Sequence, residues 1–426
     1  MKPEILAPVG NWEMLSAAIE AGTDAVYFGT KQLTMRISCN NFQLTEFKKV
    51  VEKCHEHHVK AYLTVNTLVF DDEIDKVRQI LESAKEANID AIICWDMATI
   101  TLAKEYNLEI HLSTQASVAN FEALKEYYKL GVRRVILARE LSLEQIKSIK
   151  TKIKKENLDM EIETFIHGAM CVAVSGRCFL SQDLFGKSAN RGNCLQTCRR
   201  AYKATDIEEG HELEINNNFV LSAKDLCTLP FIEQLVDAGI DSFKIEGRHK
   251  GPEYVKTIIK VYKEVIEFFL NNKNDLNNNN NNNNQDNNQN KKNQEFKELK
   301  EKGLEKLKQV FNRKFSTGFY MGTPTNEDIT NIYGSASTTK KVYIGIVKNF
   351  YQKINVAEIK VESGELNTGD QLLFTGPTTG AKYQTLDSME LDHNKIKKAK
   401  KGTRIAMKLE FQARPNDKVF IIRQIQ

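Results

Sequence analysis

No run of eighteen consecutive apolar residues occurs anywhere in the 426-residue chain, so no membrane-spanning helix is expected. The opening segment, MKPEILAPVGNWEM, lacks the apolar core of a secretory leader, which makes the cytoplasm the expected location. Three common catalytic signatures are missing as well. There is no G-x-G-x-x-G dinucleotide fingerprint, no H-E-x-x-H zinc motif and no G-x-S-x-G nucleophile elbow. An excess of one charge is also lacking: 60 basic against 56 acidic residues leave a net +4. A nucleic-acid partner is therefore permitted but not required, and the clustering of basic side chains decides. With 41% hydrophobic and 27% charged residues the composition is that of ordinary soluble proteins, and the length points to two domains.

What the first 250 residues do contain is alternation. Short apolar runs at Ile5–Ala7, Ala25–Phe28, Lys60–Val65, Ala91–Cys94, Glu109–Leu112, Arg134–Leu137, Glu161–Ile166 and Ser242–Ile245 read as strands. Helix-length amphipathic segments such as Trp12–Ala21, Leu44–His57, Glu73–Ala87 and Phe121–Leu130 separate them. Three helices end in the same way, at Ala21-Gly22, Ala87-Asn88 and Ala238-Gly239, each followed at once by a strand. Glycine or asparagine in that place is the left-handed stop of a helix. Eight alternating units predict a (β/α)8 barrel over residues 1–270, with an open doubly wound sheet as the alternative. A further run, Asn218–Ser222, reads as a ninth strand in a hairpin after the seventh.

Residues 271–295 are almost wholly Asn, Asp, Gln and Lys, which offers no apolar surface to offset ordering; a disordered insert is expected there. Helical patterning resumes in a connector over 296–335. From 336 to 426, short alternating strands and polar turns predict a small antiparallel β-barrel, and its Gly-Asp turns resemble the second domain of translation GTPases, a module that often touches RNA. The run Lys395-Ile-Lys-Lys-Ala-Lys-Lys401 on this domain, with Arg404 and Lys408 beside it, would attract phosphates without regard to sequence. Arg199-Arg200 and Arg313-Lys314 are expected to extend that surface.

Five of the eight cysteines fall between Cys171 and Cys227. In a reducing compartment a dense thiol cluster is more often a metal site than a set of bridges. Cys171 and Cys178 straddle a Ser175-Gly176 turn, and Cys194 and Cys198 are four apart, as on one helical turn. Thiolates from two loops after the seventh strand suit zinc or an iron–sulfur cluster, and spacing alone leaves both open. Four buried structural thiols are the plain alternative. Cys54 and Cys94 read as core thiols; Cys39 and Cys227 are possible substitutes among the ligands.

The block Glu163-Thr-Phe-Ile-His-Gly-Ala-Met-Cys-Val-Ala-Val-Ser-Gly-Arg-Cys-Phe-Leu-Ser181 resembles the signature of peptidase family U32, the collagenase-like proteins. Ala189–Arg199, Ser222–Leu226, Ser242–Arg248 and Phe311–Phe319 match further blocks, so the resemblance covers nearly all of the chain outside the asparagine tract. It implies one of several hydroxylation branches that carry a four-iron (4Fe-4S) cluster on four cysteines. The appended C-terminal domain is most similar to the transfer-RNA branch, which forms 5-hydroxyuridine at the wobble position with prephenate as a required metabolite. Carried across by position, the resemblance gives Cys171, Cys178, Cys194 and Cys198 as the ligands. The fourth ligand varies in the ubiquinone-synthesis branch, which keeps Cys227 and Cys39 open.

Residues just past strand ends converge on one face of such a barrel, which selects Asn66, Gln115, Arg139, Glu246 and Arg248 as pocket candidates. Glu246, Arg248 and His167 are the expected catalytic residues. Arg139 and Lys244, with Arg248, are expected to bind a dicarboxylate such as prephenate through charge-assisted hydrogen bonds. Ion pairs such as Arg139–Glu140 and Glu246–Arg248 that merely tie loops together are the competing explanation. Two rival functions stand beside RNA hydroxylation. One is a peptidase with Cys171 and His167 as nucleophile and base; the other is a non-catalytic zinc protein that binds RNA.

Overall fold

The computed structural model describes residues 2–210, 212–213, 221–277 and 286–425. Its N-terminal part is built from β1 (Glu4–Pro8), α1 (Trp12–Ala21), β2 (Ala25–Gly29), α2 (Phe47–His55), β3 (Lys60–Thr64), α3 (Ile74–Glu86), β4 (Ala91–Cys94), α4 (Met97–Glu105), β5 (Ile110–Leu112), α5 (Phe121–Lys129), β6 (Arg134–Ile136), α6 (Leu143–Lys155) and β7 (Glu161–Ala169). After the cysteine loops, which hold α7 (Leu180–Phe185), and the two-residue strands β8 (Ala204–Thr205) and β9 (Glu212–Leu213), come β10 (Asp225–Cys227), α8 (Ile232–Asp237), β11 (Ser242–Ile245) and α9 (Pro252–Asn271).

Strand β11 pairs in parallel with both β1 and β7, and β1 to β7 pair in parallel in order, so the sheet closes on eight strands. This is the expected barrel, and the open sheet is excluded. Local chemistry sets the alternation. Asn11 caps α1 through the Met14 N–H at 2.9 Å, Asn120 caps α5, and Ser142 forms a capping box with Gln145 at α6. Each expected stop is left-handed, with φ of 80° at Gly22, 58° at Asn88 and 73° at Gly239. The lumen holds ions as well as apolar residues: Arg134 on β6 meets Glu4 on β1 and Glu163 on β7, and Lys244 on β11 donates to Glu163 at 2.7 Å.

Strand β10 lies outside the closed barrel and runs antiparallel to β7. The extra strand is therefore real, but it lies at 225–227; of the expected Asn218–Ser222, residues 218–220 are outside the described residues and Leu221–Ser222 form no strand. The reading of 271–295 as a disordered insert needs correction where it can be seen. Short helix α10 (Lys273–Asn277) follows α9, and residues 286–295 form the start of α11 (Asp286–Gln309); residues 278–285 are outside the described residues. Phe296 of α11 stacks on Phe268 of α9 with ring centroids 5.8 Å apart, giving the polar helix an apolar seat. The α-helix of the connector ends at Gln309, and a single 3-10 turn follows at Asn326–Asp328. Beyond Gln309 the chain returns to the barrel, where β12 (Phe315–Ser316) pairs with β10 and the Tyr320 hydroxyl donates to the Phe165 carbonyl at 2.7 Å.

The C-terminal domain is antiparallel throughout. It comprises β13 (Thr339–Tyr351), β14 (Val356–Val361), β15 (Glu365–Asn367), β16 (Gln371–Gly376), β17 (Gly380–Thr385), β18 (Met389–Leu391), β19 (Asn394–Ile396), β20 (Lys398–Lys400), β21 (Arg404–Lys408) and β22 (Lys418–Gln424). Eight of these form one sheet in the order β17-β16-β22-β13-β14-β21-β18-β19, and β15 pairs with β20. Both enclose a core that includes Ile359, Leu372, Phe374 and Val419. The domain is seated on the barrel through α1 and α9: Glu20 accepts from Lys256 and Lys382, and Lys341 pairs with Glu253 at 2.7 Å. Glu253 opens α9, so this contact lies toward the face where barrel strands end.

Candidate active site at the barrel mouth

Two loops after β7 carry the cysteines. In the first, Ser175 is left-handed (φ 46°, ψ 25°) and its N–H donates to Glu140 Oε1 at 2.8 Å. Arg177 packs over the Trp95 ring and donates to the Gln115 carbonyl, and the Cys178 N–H donates to Asn190 at 3.0 Å. In the second, Gln196 is left-handed and only Thr197–Arg199 form a single tight turn. Cys194 and Cys198 are thus brought together by a reversal at Gln196, not by the helical turn their spacing suggests. A Cβ on Gly192, itself at φ +87°, would stand 2.3 Å from the Thr34 carbonyl, so the loop can pass there only as glycine.

All four cysteines, Cys171, Cys178, Cys194 and Cys198, line one cavity at the strand C-terminal face of the barrel. Burial pushes the Cys198 thiol up, and Cys171, Cys194 and Cys178 act in the same direction while Arg199 opposes them. Backbone N–H groups of Leu180 and Gln196 point at the sulfurs of Cys178 and Cys194, each at 3.4 Å. Among the described residues, no three His, Cys, Asp or Glu side chains gather closely enough for one metal ion. A single zinc ion would draw its sulfurs to about 2.3 Å from a common centre. A polynuclear iron–sulfur cluster takes the same four thiolates at its corners, so the donor set fits either group. Neither substitute ligand lines the cavity. Cys39 donates to the Arg248 carbonyl, and Cys227 is buried beside the Tyr262 hydroxyl. Cys54 and Cys94 are buried thiols, as expected.

The facing wall carries Glu246, which meets Arg36 at 3.3 Å and Arg139 at 3.5 Å. Burial opposes ionisation of Glu246, yet Arg36, Arg139 and Arg248 together hold its carboxyl down at about 2. Arg248 is buried and donates to Thr64 and Thr34 at 3.0 Å each. A Cβ on Gly29 would stand 2.5 Å from Arg248 Nη1, so glycine at the end of β2 makes room for the guanidinium. Arg139 donates to the Ala169 carbonyl at 2.7 Å and lies over the Phe165 ring. Neither expected tie exists as such: Arg139 pairs with Glu246, and Glu140 serves the Ser175 turn. Asn66 and Gln115 also line the cavity and contact each other.

Three expectations are corrected. His167 does not face the cavity; it is buried among Tyr254, Tyr262 and Phe315, and burial takes its imidazole down to about 3. The pairing of β7 with β11 shifts register after Lys244, so that Ile245 and not Glu246 stands opposite His167. Lys244 borders the cavity, but its ammonium is committed to Glu163 inside the lumen. Arg199 and Arg313 are not an outward basic surface: Arg199 holds the Met170 and Ala223 carbonyls, and Arg313 holds Gln196 at 3.3 Å. Sequence reasoning also missed Arg36, His249 and Lys250, all cavity-lining. Lys250 lies 3.0 Å from the centre of the Phe311 ring, and burial first, then Arg313, bring its ammonium to about 7. Extending the strand-end rule a few residues further past β2 and β11 finds these three.

The profile described as Peptidase family U32 matches residues 10–330. The chain belongs to peptidase family U32. A U32 relative from Porphyromonas gingivalis, named collagenase, is 42% identical over 98% of this chain and 97% of its own length. The tRNA hydroxylation protein P1 of Bacillus subtilis is 32% identical over 98% of this chain and 94% of its own. The 23S rRNA 5-hydroxycytidine C2501 synthase of Escherichia coli is 36% identical over 64% of this chain and 40% of its own. Among the described residues, no helix is long and apolar enough to cross a membrane.

Proposed function

We propose that this U32 protein hydroxylates RNA, forming 5-hydroxyuridine at the wobble position of transfer RNA, with prephenate as a required metabolite. Cys171, Cys178, Cys194 and Cys198 would hold a 4Fe-4S cluster. The observation that carries the reading is the convergence of these four thiols and the Glu246–Arg36–Arg139 set on one cavity. The near full-length relative named for tRNA hydroxylation supports the choice of substrate class. Bound at the thiolates, the cluster would supply electron-transfer chemistry beside the cavity. Glu246, held ionised, accepts hydrogen bonds at neutral pH and has no proton to deliver. Arg36 keeps part of its guanidinium exposed, and with Lys250 it offers the cationic contacts a carboxylate metabolite needs.

The test is expression in a host lacking wobble hydroxylation, followed by mass spectrometry of the transfer RNA. Restored 5-hydroxyuridine, lost on Cys194→Ser, is the expected result. An unmodified wobble uridine with the iron-loaded protein present, and prephenate supplied, contradicts the substrate assignment.

A peptidase is the second reading, favoured by the 42% identical relative named collagenase. The cavity provides no Cys171–His167 pair, since His167 is buried elsewhere. Gelatin cleavage by purified protein that disappears in Cys171→Ala would establish it.

A further inference from the structure

The segment that carries the cysteines is apolar and cationic on its outside. Phe179 is 71% exposed although its neighbours Cys178 and Leu180 both line the cavity, and Val174 is 63% exposed. Val172, Leu184, Phe185 and Leu195 are also large and exposed, an unusual density for one loop region. Among and just beyond them stand the exposed cations Arg177, Lys187 and Arg200, against the exposed acid Asp183; the exposed acids Asp206, Glu208 and Glu209 follow further along the chain. Arg200 lies over the Phe185 ring at 4.7 Å and Arg177 over Trp95 at 4.9 Å, so cations and aromatic planes are already interleaved. None of these side chains faces the core.

We propose that the outer rim of the cysteine loops is the RNA-docking surface, with Phe179 as the platform on which an unpaired base stacks at the cavity mouth. The inference rests on the RNA reading above and deepens it by naming the surface and the nucleic-acid form. The positive balance of the rim complements a polyanion. An exposed phenyl ring beside a cavity serves a base that has left its helical stack, because every base offers a π-face and a duplex hides it. A single-stranded loop is therefore preferred to a duplex. Of the lysine-bearing strands, β19 ends the eight-strand order opposite β17, and β20 pairs with β15; β17 itself packs near α1 through Gly380 and Ala17. Those lysines fit sequence-blind attraction of the same RNA body, whereas the rim engages the base.

The experiment measures binding of a fluorescein-labelled RNA stem-loop and of an RNA duplex of equal length to the anaerobically purified full chain. Phe179→Ala should weaken stem-loop binding on the order of tenfold, within the range of one lost stacking contact, and leave duplex binding unchanged. Phe179→Trp should restore binding, and its indole emission should be quenched by the stem-loop but not by the duplex. Iron content is measured on each variant, so that loss of the cluster is not mistaken for loss of stacking; Phe185→Ala repeats the test outside the stretch between Cys178 and Leu180. Equal stem-loop affinity for Phe179→Ala and the native protein at equal iron content overturns the inference. So does a Phe179→Ala defect in binding gelatin with RNA binding intact, which would assign the rim to a peptide. Failure of hydroxylation with Phe179-dependent stem-loop binding preserved would instead remove the proposed reaction and leave the docking surface standing.

Discussion

The carboxylate of Glu140, just past the end of β6, accepts the N–H of Ser175 at 2.8 Å, and Ser175 sits left-handed at the centre of the loop joining Cys171 to Cys178. A residue from one barrel unit thus fixes a strained turn in another, and the turn sets where two of the four thiols point. Glu140→Ala leaves the barrel core untouched but removes two hydrogen bonds to the buried Ser175, so stability should fall by about 1–3 kcal/mol. Iron retained after gel filtration should nevertheless fall by roughly half or more, with Glu140→Gln intermediate, because a loosened loop holds a metal less well than a fixed one. Iron assay beside a melting curve separates the two effects.

The cysteines should divide into two classes. Serine at Cys171, Cys178, Cys194 or Cys198 should each abolish the visible chromophore, since all four share one cavity. Serine at Cys39 or Cys227 should leave it intact, the first thiol being engaged with the Arg248 carbonyl and the second buried beside Tyr262. An absorbance spectrum of each variant after anaerobic purification checks this.

Much of this was legible in the chain. The helix stops at Gly22, Asn88 and Gly239 and the apolar strand runs predicted a closed barrel, because local stops and burial on both sheet faces act over short spans. The cysteine block marked the site for the same reason. Orientation was not legible. His167 is four residues from Cys171 yet turned away from the cavity, and Lys244 is drawn to Glu163 across the lumen. Such partners come from strands distant in sequence. The polar start of α11 was misread because its seat, Phe268 on α9, lies beyond the asparagine tract.

Glu246 should be needed for both folding and activity. Glu246→Gln leaves Arg36, Arg139 and Arg248 without their shared counter-charge, and an uncompensated buried charge costs about 3–5 kcal/mol. Chemical denaturation should show a loss of that order, and 5-hydroxyuridine formation should fall even at temperatures where the variant stays folded.

His167 should be dispensable for chemistry. His167→Gln should destabilise the protein by about 1–3 kcal/mol, the range for disturbing a buried polar contact, while turnover stays within roughly threefold of the native rate. A Cys171–His167 peptidase would lose its activity entirely in the same variant.

Acid should unfold the protein in two overlapping stages. The His167 imidazole lies at about 3 in the fold against an ordinary 6.5, lowered by burial. The Glu246 carboxyl lies at about 2 against 4.5; burial opposes this shift, and the arginines outweigh it. Both are depressed, so on acidification the unfolded chain takes up these protons first. Stability should therefore decline as the pH falls below about 6.5, through His167, and more steeply below about 4.5, through Glu246. Denaturation midpoints across that range check the sign, and His167→Gln should shrink the first stage without removing it, because burial also lowers His249, to about 4, and His111.

Anaerobic purification followed by iron, sulfide and zinc analysis with an optical spectrum tests the central assignment most directly. The account predicts brown protein with about four iron and four sulfide per chain, both lost on Cys194→Ser. Colourless protein carrying one tightly held zinc per chain, or iron content indifferent to all four cysteines, would contradict it.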